Sequence, residues 1–355
     1  MKSGLKVICL NNLVCLTVLS FSMASCGQSV GSSLSGGQGS VARAQGNALD
    51  FIAEFTAAPH ALVLGDSMAA GALSDTVIGQ SLTTGQTNRL SQALTLHLKY
   101  DPDSKEYREN LQELSVQKNA TAFESHAKWS LVSQLGQRFP RAARPLLHNE
   151  SIIGTTAETL FEQIAHYRKR YAAGVSPAEL VVLNVGGNDW CSPDSSPAEY
   201  LHTMEFRLYQ ILKDHPRSVV LVNGLANLPA IFELRTELAF SVGERKLQCM
   251  ELADYVEEQC PQGAKLRAAT DPAEARALAS GLQQKALAMN RGLKEIVERL
   301  RRGAGSYDVY AGRLVFVDLD SMAFDKRLLS ADCFHPGSFG HEQWAKLMWQ
   351  KLSEY

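Results

Sequence analysis

The sequence predicts an α/β fold in which helices cover both faces of a parallel β-sheet. From about Leu49 onward, short runs rich in β-branched residues alternate with longer stretches of helical periodicity, which is the pattern of successive βαβ units. The strand runs are apolar throughout, as is typical of strands buried on both faces of a sheet. Because this part of the sequence contains no repeat, low-complexity tract or second linker, we interpret residues 48–355 as one domain.

The predicted elements alternate along this domain. Strands are predicted at Ala61–Leu64, Arg144–Asn149, Leu180–Val185, Ser218–Asn223 and Leu314–Asp318. Helices are predicted at Thr156–Ala172, Pro197–Lys213, Pro272–Arg302 and Ser338–Glu354, with a shorter one near His126–Gln137. Ser196 suits a helix start, and Gly174 and Gly303 suit helix ends. Residues 74–142 are predicted to carry a long insertion, and the charged pattern of the helix from Pro272 predicts a solvated cover.

The first 47 residues differ in character from the rest. Lys2 and Lys6 precede a mostly apolar stretch, and small residues then lead to Cys26, so residues 1–25 are predicted to be a secretory signal resembling that of bacterial lipoproteins. In such a signal the cysteine is acylated; the alternative is ordinary cleavage that leaves Cys26 as a plain thiol. Residues 27–40 contain ten Gly or Ser, which predicts a flexible tether over residues 26–47. The expected location is a bacterial membrane, facing the periplasm or the cell surface.

Composition excludes several classes of protein. Hydrophobic residues make up 45% and charged residues 20% of the chain, and 35 Lys and Arg against 37 Asp and Glu leave a net charge of −2. Such a balance gives no electrostatic reason to expect a nucleic-acid partner. No internal run of 18 or more apolar residues occurs, which argues against a polytopic membrane protein.

The segment Gly65-Asp66-Ser67 directly follows the first predicted strand. Glycine allows a sharp turn there, and a serine at the start of a helix lies near backbone N–H groups and the positive end of the helix dipole. That setting suits a nucleophilic hydroxyl whose attack creates an oxyanion. A lone serine in this position can equally be a helix cap, so the assignment depends on partners elsewhere in the sequence.

Polar residues also follow later strands, at the edge where the carboxyl ends of parallel strands meet and ligands bind. Asn188 follows the third strand, and its carboxamide could donate a hydrogen bond to developing negative charge. Asp332 and His335 lie three residues apart and could supply a base and the carboxylate that orients it. The alternatives are an ordinary Asn-Asp turn, and a surface aspartate that caps the last helix beside a packed histidine.

Together these segments resemble the GDSL, or SGNH, hydrolase family from Ala61 to the C-terminus. The matching segments are Gly65-Asp66-Ser67, Gly187-Asn188-Asp189, Asp332-Cys333-Phe334-His335 and, less specifically, Ile153-Gly154-Thr155-Thr156. The resemblance implies a flavodoxin-like, three-layer α/β/α fold with a five-stranded parallel sheet. It also implies that Ser67 is the nucleophile and His335 the base, that Asp332 orients the base, and that no cofactor is required. The oxyanion donors it implies are the backbone N–H groups of Ser67 and Gly154 and the side chain of Asn188.

A finer resemblance, to the phospholipase B-like branch, rests on short motifs at residues 186–191 and 332–336 and on Cys260-Pro261. It implies hydrolysis of phospholipid or lysophospholipid esters. One alternative is a carbohydrate O-deacetylase or short-chain esterase with the same centre, since the chemistry of the family does not fix the substrate. The other is a non-catalytic surface lipoprotein that binds lipid or glycan.

Four cysteines follow the predicted anchor, namely Cys191, Cys249, Cys260 and Cys333. In an exported protein they permit three pairings. We predict the pairs Cys249–Cys260 and Cys191–Cys333, the second of which would join the Asn188 loop to the His335 loop. Four buried free thiols are the alternative.

Other residues near these motifs are predicted to have structural roles. The spacing of Asp332, His335 and His341 is not that of a known metal motif, so no metal site is predicted and His341 is interpreted as a packing residue. Trp190 and Phe334 are predicted to pack in the core, with an apolar acyl pocket as the alternative.

Overall fold

The computed structural model describes residues 60–72, 74–86, 129–138, 146–172, 178–226, 237–252, 260–303 and 313–354, and positions 48, 88, 122, 123, 230 and 234. The predicted signal, the tether with Cys26, most of the predicted insertion and Gly174 lie outside these residues. In the described part of the chain, no helix combines the length and the apolar character needed to cross a membrane.

The predicted strands and helices are present, with ends that differ by a few residues. The strands are β1 (His60–Gly65), β2 (Leu146–Asn149), β3 (Leu180–Asn184), β4 (Val219–Asn223), β5 (Leu238–Val242), β6 (Arg245–Gln248) and β7 (Leu314–Val317). The α-helices are α1 (Ser67–Ala70), α2 (Leu131–Arg138), α3 (Leu160–Ala172), α4 (Gly187–Cys191), α5 (Pro197–Asp214), α6 (Pro261–Ala268), α7 (Pro272–Arg301) and α8 (Ser338–Glu354).

Five strands form one parallel sheet in the order β2-β1-β3-β4-β7. This is the flavodoxin-like order, in which the chain reverses direction across the sheet beside β1. Every residue of β1, β3, β4 and β7 is buried. Alternate strand residues therefore face two separate apolar clusters, one built with α3, α5 and α7 and the other with α2 and α8. The three-layer α/β/α prediction is confirmed.

Two helix starts show how local side chains set the bounds. Ser196 caps α5, accepting a hydrogen bond from the Glu199 backbone while the Glu199 carboxylate accepts from the Ser196 backbone, so the predicted start is confirmed. α3 begins four residues later than predicted. Thr156 and Thr159 instead bond each other's backbone N–H groups through their hydroxyls, which holds residues 156–159 in a turn.

The antiparallel hairpin β5–β6 was not predicted. Its strands are joined by a two-residue loop in which Gly243 has a φ of 58°, the kind of turn that glycine favours in hairpins. The segment after α1 lies along this hairpin, because the N–H of Gly79 donates to the Ala239 carbonyl and that of Leu82 to the Ser241 carbonyl. The hairpin thus lies close to the chain that follows Ser67.

Candidate active site

Ser67 lies at the end of β1, in the first turn of α1. Asp66 is the N-cap of that helix, and its carboxylate accepts a hydrogen bond from the Met68 backbone N–H at 3.0 Å. Gly65 permits the turn, since a Cβ there would lie 2.3 Å from the Asn184 carbonyl oxygen and 2.7 Å from the Ala69 Cβ. The close approach of three backbone segments therefore places the serine at the carboxyl edge of the sheet.

The structure brings His335 and Asp332 to this serine across 268 residues of sequence. His335 Nε2 lies 2.9 Å from Ser67 Oγ, and His335 Nδ1 lies 2.6 Å from Asp332 Oδ2. All three residues are buried, with exposed fractions of 8% for Ser67, 3% for His335 and none for Asp332. This geometry lets the imidazole take the serine proton while the carboxylate holds the ring and stabilises its charged form.

The loop that carries the histidine is built around the Asp332 carboxylate. Asp332 Oδ1 accepts hydrogen bonds from the backbone N–H groups of Phe334 and His335, both at 3.0 Å, and from the Ser330 hydroxyl. Burial alone would raise the pKa of Asp332, but the charge of His335 and the hydrogen bonds from His335 and Ser330 outweigh it and lower the pKa below its usual range. The carboxylate therefore remains ionised when the imidazole is protonated.

Gly154 and Asn188 occupy neighbouring strand ends. Gly154, with a φ of 80°, lies in the turn after β2, and the N–H of Ile152 in that turn donates to the Gly65 carbonyl at 3.0 Å. Asn188 lies in α4, and its Nδ2 donates to the Thr155 carbonyl at 2.9 Å. A carboxamide nitrogen carries two hydrogens, so one N–H of Asn188 holds the turn and a second is left for a ligand.

Gln163 joins the turn at Gly65 to the turn that contains Thr155, and it was not predicted as a site residue. Its side chain accepts from the Gly65 N–H at 2.9 Å and donates to the Gly65 carbonyl at 2.7 Å and to the Thr155 hydroxyl at 2.8 Å. The residue is 1% exposed. A polar residue on the apolar stripe of α3, between Leu160 and Tyr167, is the sequence signal that could have indicated it.

Asp66 and Asp189 are buried carboxyl groups beside the site. Burial raises the pKa of Asp66 to about 6, against the opposing effects of the Met68 hydrogen bond and the His335 charge. Burial likewise raises the pKa of Asp189 to about 6, against the Ala157 hydrogen bond and the Lys285 charge. The Asp189 carboxylate accepts from the Ala157 N–H at 3.0 Å, so it ties the start of α4 to the turn that contains Gly154.

The predicted disulfide pairing is wrong. The structure pairs Cys191 with Cys260 and Cys249 with Cys333, instead of Cys249 with Cys260 and Cys191 with Cys333. Cys260 caps α6, which lies beside the end of α4, where Gln262 donates to the Ser192 carbonyl. Cys249 follows the hairpin, which contacts the His335 loop through the segment around Ile78. Packing of distant segments, not distance along the chain, therefore selects the partners.

The Cys249–Cys333 bond holds a strained position. Cys333 has a φ of 61°, the only positive value at a non-glycine residue in the described part of the chain, and such a backbone is sparsely populated. It lies between the aspartate and the histidine of the site. Its backbone turn directs the N–H groups of Phe334 and His335 toward the Asp332 carboxylate.

Helix α7 does more than cover the sheet. Lys285 Nζ donates to the carbonyls of Asp189 and Ser192, at 3.1 and 2.7 Å, and the Leu282 carbonyl accepts from the Trp190 indole at 3.0 Å. The predicted solvated cover thus describes only its outer face. Trp190 is fully buried, which confirms its predicted core role.

An apolar cleft of about 780 Å³, its open mouth included, lies beside the serine and histidine. Its walls include Asp66 and Met68 on either side of Ser67 and Phe334 and Pro336 on either side of His335. The other lining residues come from the segments after β3, β4 and β7. The apolar ones are Val185, Leu225, Ala226, Leu319, Met322, Phe324, Leu328 and Trp344. Phe334 therefore contributes both to the core and to this cleft.

His341 is a packing residue, as predicted. It is fully buried, accepts a hydrogen bond from the Ala122 N–H through Nδ1, and stacks on Trp344. Burial lowers the pKa of His341 to about 3, with a smaller contribution from the charge of His335. Within the described residues, no group of three or more His, Cys, Asp or Glu side chains is placed to hold a metal ion.

The family model of the GDSL-like lipases and acylhydrolases matches residues 62–348, a span that contains every residue of the serine, histidine and oxyanion segments. The chain belongs to this family. It is a GDSL, or SGNH, hydrolase and therefore an ester hydrolase. No curated protein matches the sequence significantly.

Several solved structures match the fold of this hydrolase at low identity. A family two carbohydrate esterase from Clostridium thermocellum is 11% identical, with a TM-score of 0.40; the match covers 83% of this chain and 64% of the esterase chain. This chain therefore spans slightly under two thirds of the length of that esterase. TesA is 14% identical, with a TM-score of 0.39 and coverage of 83% and 98%. Phospholipase A1 from Streptomyces albidoflavus NA297 is 12% identical, with a TM-score of 0.36 and coverage of 83% and 99%. These values carry no information about the substrate of this chain.

Proposed function

We propose that this hydrolase cleaves esters of medium and long acyl chains, lysophospholipids and phospholipids among them, through an acyl-enzyme on Ser67. The observation that carries the proposal is the position of the apolar cleft, whose walls flank both Ser67 and His335 in sequence. Burial of an acyl chain in such a cleft contributes ~0.8 kcal/mol for each methylene.

The proposed reaction begins when His335 Nε2 accepts the proton of the Ser67 hydroxyl as Oγ attacks the ester carbonyl. Asp332, at 2.6 Å from His335 Nδ1, stabilises the resulting imidazolium. The oxyanion accepts hydrogen bonds from the backbone N–H groups of Ser67 and Gly154 and from the side chain of Asn188. His335 then protonates the leaving alcohol, and water attacks the acyl-enzyme by the same route to release the acid.

A substrate panel tests this proposal. Wild-type protein and Ser67→Ala would be assayed on p-nitrophenyl acetate, octanoate and palmitate, on lysophosphatidylcholine and on an acetylated glycan. We expect octanoate, palmitate and lysophosphatidylcholine to be the better substrates, and Ser67→Ala to lower kcat by at least ~10³-fold on each. Preference for the acetylated glycan or for acetate over the longer esters would contradict the lipid assignment.

We also propose that the hydrolase domain is exported and held at a membrane by lipid on Cys26. The basic and apolar start of the sequence and the Gly/Ser-rich residues after Cys26 support this. The two disulfides are consistent with an oxidising compartment. Labelled palmitate should be incorporated into the wild-type protein in bacterial cells and not into Cys26→Ala; equal labelling of both would contradict the anchor.

A further inference from the structure

A second cavity shares part of its lining with the apolar cleft. This outer groove has a volume of about 980 Å³, open solvent included, and shares Met322, Phe324 and Leu328 with the cleft. All three shared residues are neither fully buried nor fully exposed. These three residues form the wall between the cleft and the groove.

The N-terminal half of α8 contributes to both cavities. Gly340 and Trp344, one turn apart, line the cleft, whereas Phe339, Gln343 and Leu347 line the groove. Residues four apart share a helix face, so two adjacent stripes of one helix face the two cavities. Leu347 and Phe339 give the groove an apolar area, its floor, and Asp325, Gln343, Lys346 and Gln350 line the groove as well.

The cleft extends across the carboxyl ends of four strands, from Asp66 after β1 to Leu319 after β7. Three spacings between neighbouring strands amount to ~14 Å. With carbon–carbon bonds of ~1.5 Å in a zigzag, an extended chain of about twelve carbons spans that distance. A longer chain along this line would extend past the end of β7, where Met322 and Phe324 follow Leu319 in the sequence.

Of the three wall residues, Met322 has the most flexible side chain. The backbone of Leu328 is fixed, because its N–H donates to the Asp325 carbonyl and its carbonyl accepts from the Gly337 N–H, both at 2.8 Å. It also lies against Gly340, where a Cβ would come within 2.2 Å of the Leu328 carbonyl oxygen. Met322 is unbranched and flexible, so it can change rotamer without moving the backbone.

We propose that the outer groove is a second acyl subsite, which binds the terminal carbons of long acyl chains once Met322 has moved aside. The inference rests on the proposed function and specifies its substrate class. Chains of up to about twelve carbons remain in the cleft, and chains of sixteen or eighteen extend into the groove. The wall formed by Met322, Phe324 and Leu328 thereby sets the chain-length preference of the hydrolase.

Chain-length profiles of two variants test the subsite. Leu347→Glu places a charge on the groove floor. The control is Leu287→Glu, at a leucine of α7 that is 40% exposed. Rates would be measured on p-nitrophenyl octanoate and palmitate below their critical micelle concentrations. Leu347→Glu should lower kcat/KM for palmitate by at least ~10-fold, as expected when several methylenes are no longer buried, and should leave octanoate unchanged. Leu287→Glu should change neither.

Changes to the wall should shift the same profile in both directions. Met322→Ala should raise the ratio of palmitate to octanoate turnover, and Met322→Trp should lower it. Equal effects on both esters, or none on either, would overturn the subsite while the hydrolase assignment stands. Absence of turnover by the wild-type protein on every ester would overturn the proposed function and, with it, the subsite.

Discussion

At the scale of single residues, the proposed mechanism assigns two tasks to the carboxamide of Asn188. One N–H of its Nδ2 donates to the Thr155 carbonyl at 2.9 Å, and in the proposed mechanism the second donates to the oxyanion. A neutral donor suits this position, since it stabilises developing negative charge without adding a buried charge to the resting site. The proposed mechanism therefore combines turn support and oxyanion donation in one side chain.

Asn188→Ala is predicted to lower kcat by roughly 10²–10³-fold, because it removes one donor to the oxyanion. KM should change much less, since the donor acts mainly in the transition state. Steady-state kinetics on the octanoate ester would measure both. Gln284→Ala, which truncates an exposed carboxamide on α7, is the control; a loss of less than ~3-fold in Asn188→Ala would contradict the assigned role.

Gln163→Leu is predicted to destabilise the fold. The substitution preserves much of the volume but leaves the buried Gly65 N–H without its acceptor. It also removes one hydrogen bond each from the Gly65 carbonyl and the Thr155 hydroxyl, which keep their bonds to Ile152. A buried polar group left unpaired costs ~1–3 kcal/mol, so the free energy of unfolding should fall by about that amount in urea titrations. Gln134→Leu, on α2, removes a single hydrogen bond, to the Trp129 carbonyl. It should have the smaller effect, and the reverse order would refute the explanation.

The loops of the site are positioned by elements that lie outside the central sheet. α4, which carries Asn188, is held by α7 through Lys285 and by α6 through the Cys191–Cys260 bond. The His335 loop is held by Cys249, which follows the hairpin, and by Thr76, whose hydroxyl accepts from the Ala331 N–H. The loops of Asn188 and His335 are therefore held by separate disulfides, through Cys260 and Cys249 respectively.

Removal of each disulfide is predicted to have a different effect on activity. On the chain-entropy model, each bond closes a long loop, of 84 residues for Cys249–Cys333 and 69 for Cys191–Cys260, and is worth ~4 kcal/mol. Both double variants, Cys249→Ala with Cys333→Ala and Cys191→Ala with Cys260→Ala, should therefore lose similar stability. The first should lose more kcat, because it frees the strained residue beside His335; equal losses of kcat would show that the strained backbone needs no covalent support.

At the scale of the whole molecule, the buried His215, which is not a residue of the candidate site, makes stability depend on pH. His215 follows α5, lies 5.3 Å from the Tyr167 ring, and has no hydrogen-bond partner for Nδ1 within the described residues. Burial lowers the pKa of His215 to about 4, which the charge of Asp214 opposes and that of Arg168 supports. The folded protein therefore holds this imidazole neutral.

The pH dependence of stability follows from that pKa. Because the folded pKa of His215 lies below the unfolded value of 6.5, the unfolded chain binds the proton first, and stability is lost as pH falls from about 6.5 to about 4. The loss amounts to at most ~3 kcal/mol. His215→Phe should therefore be destabilised less than the wild-type protein between pH 7 and pH 4.5 in urea titrations, and parallel curves would contradict the assignment.

The sheet was predictable because apolar strand runs and helical periodicity are local patterns. Because the strands are parallel, their carboxyl ends were expected to meet at one edge of the sheet. Ser67, Asn188 and His335 were predictable because their residue types suit chemistry at those ends. The cysteine pairing depended on α6 lying beside α4, which no local pattern specifies. The cleft likewise combines residues after four strands, and Gln163 acts through bonds to two distant turns.

Active-site labelling with a fluorophosphonate, followed by peptide mapping, tests directly whether Ser67 is a nucleophile activated by His335. Such reagents modify a serine hydroxyl only when a base activates it. We predict one label per molecule, on Ser67, in the wild-type protein, and none in Ser67→Ala or, within the same time, in His335→Ala. Undiminished labelling of Ser67→Ala, or a label mapped to a different serine, would contradict it.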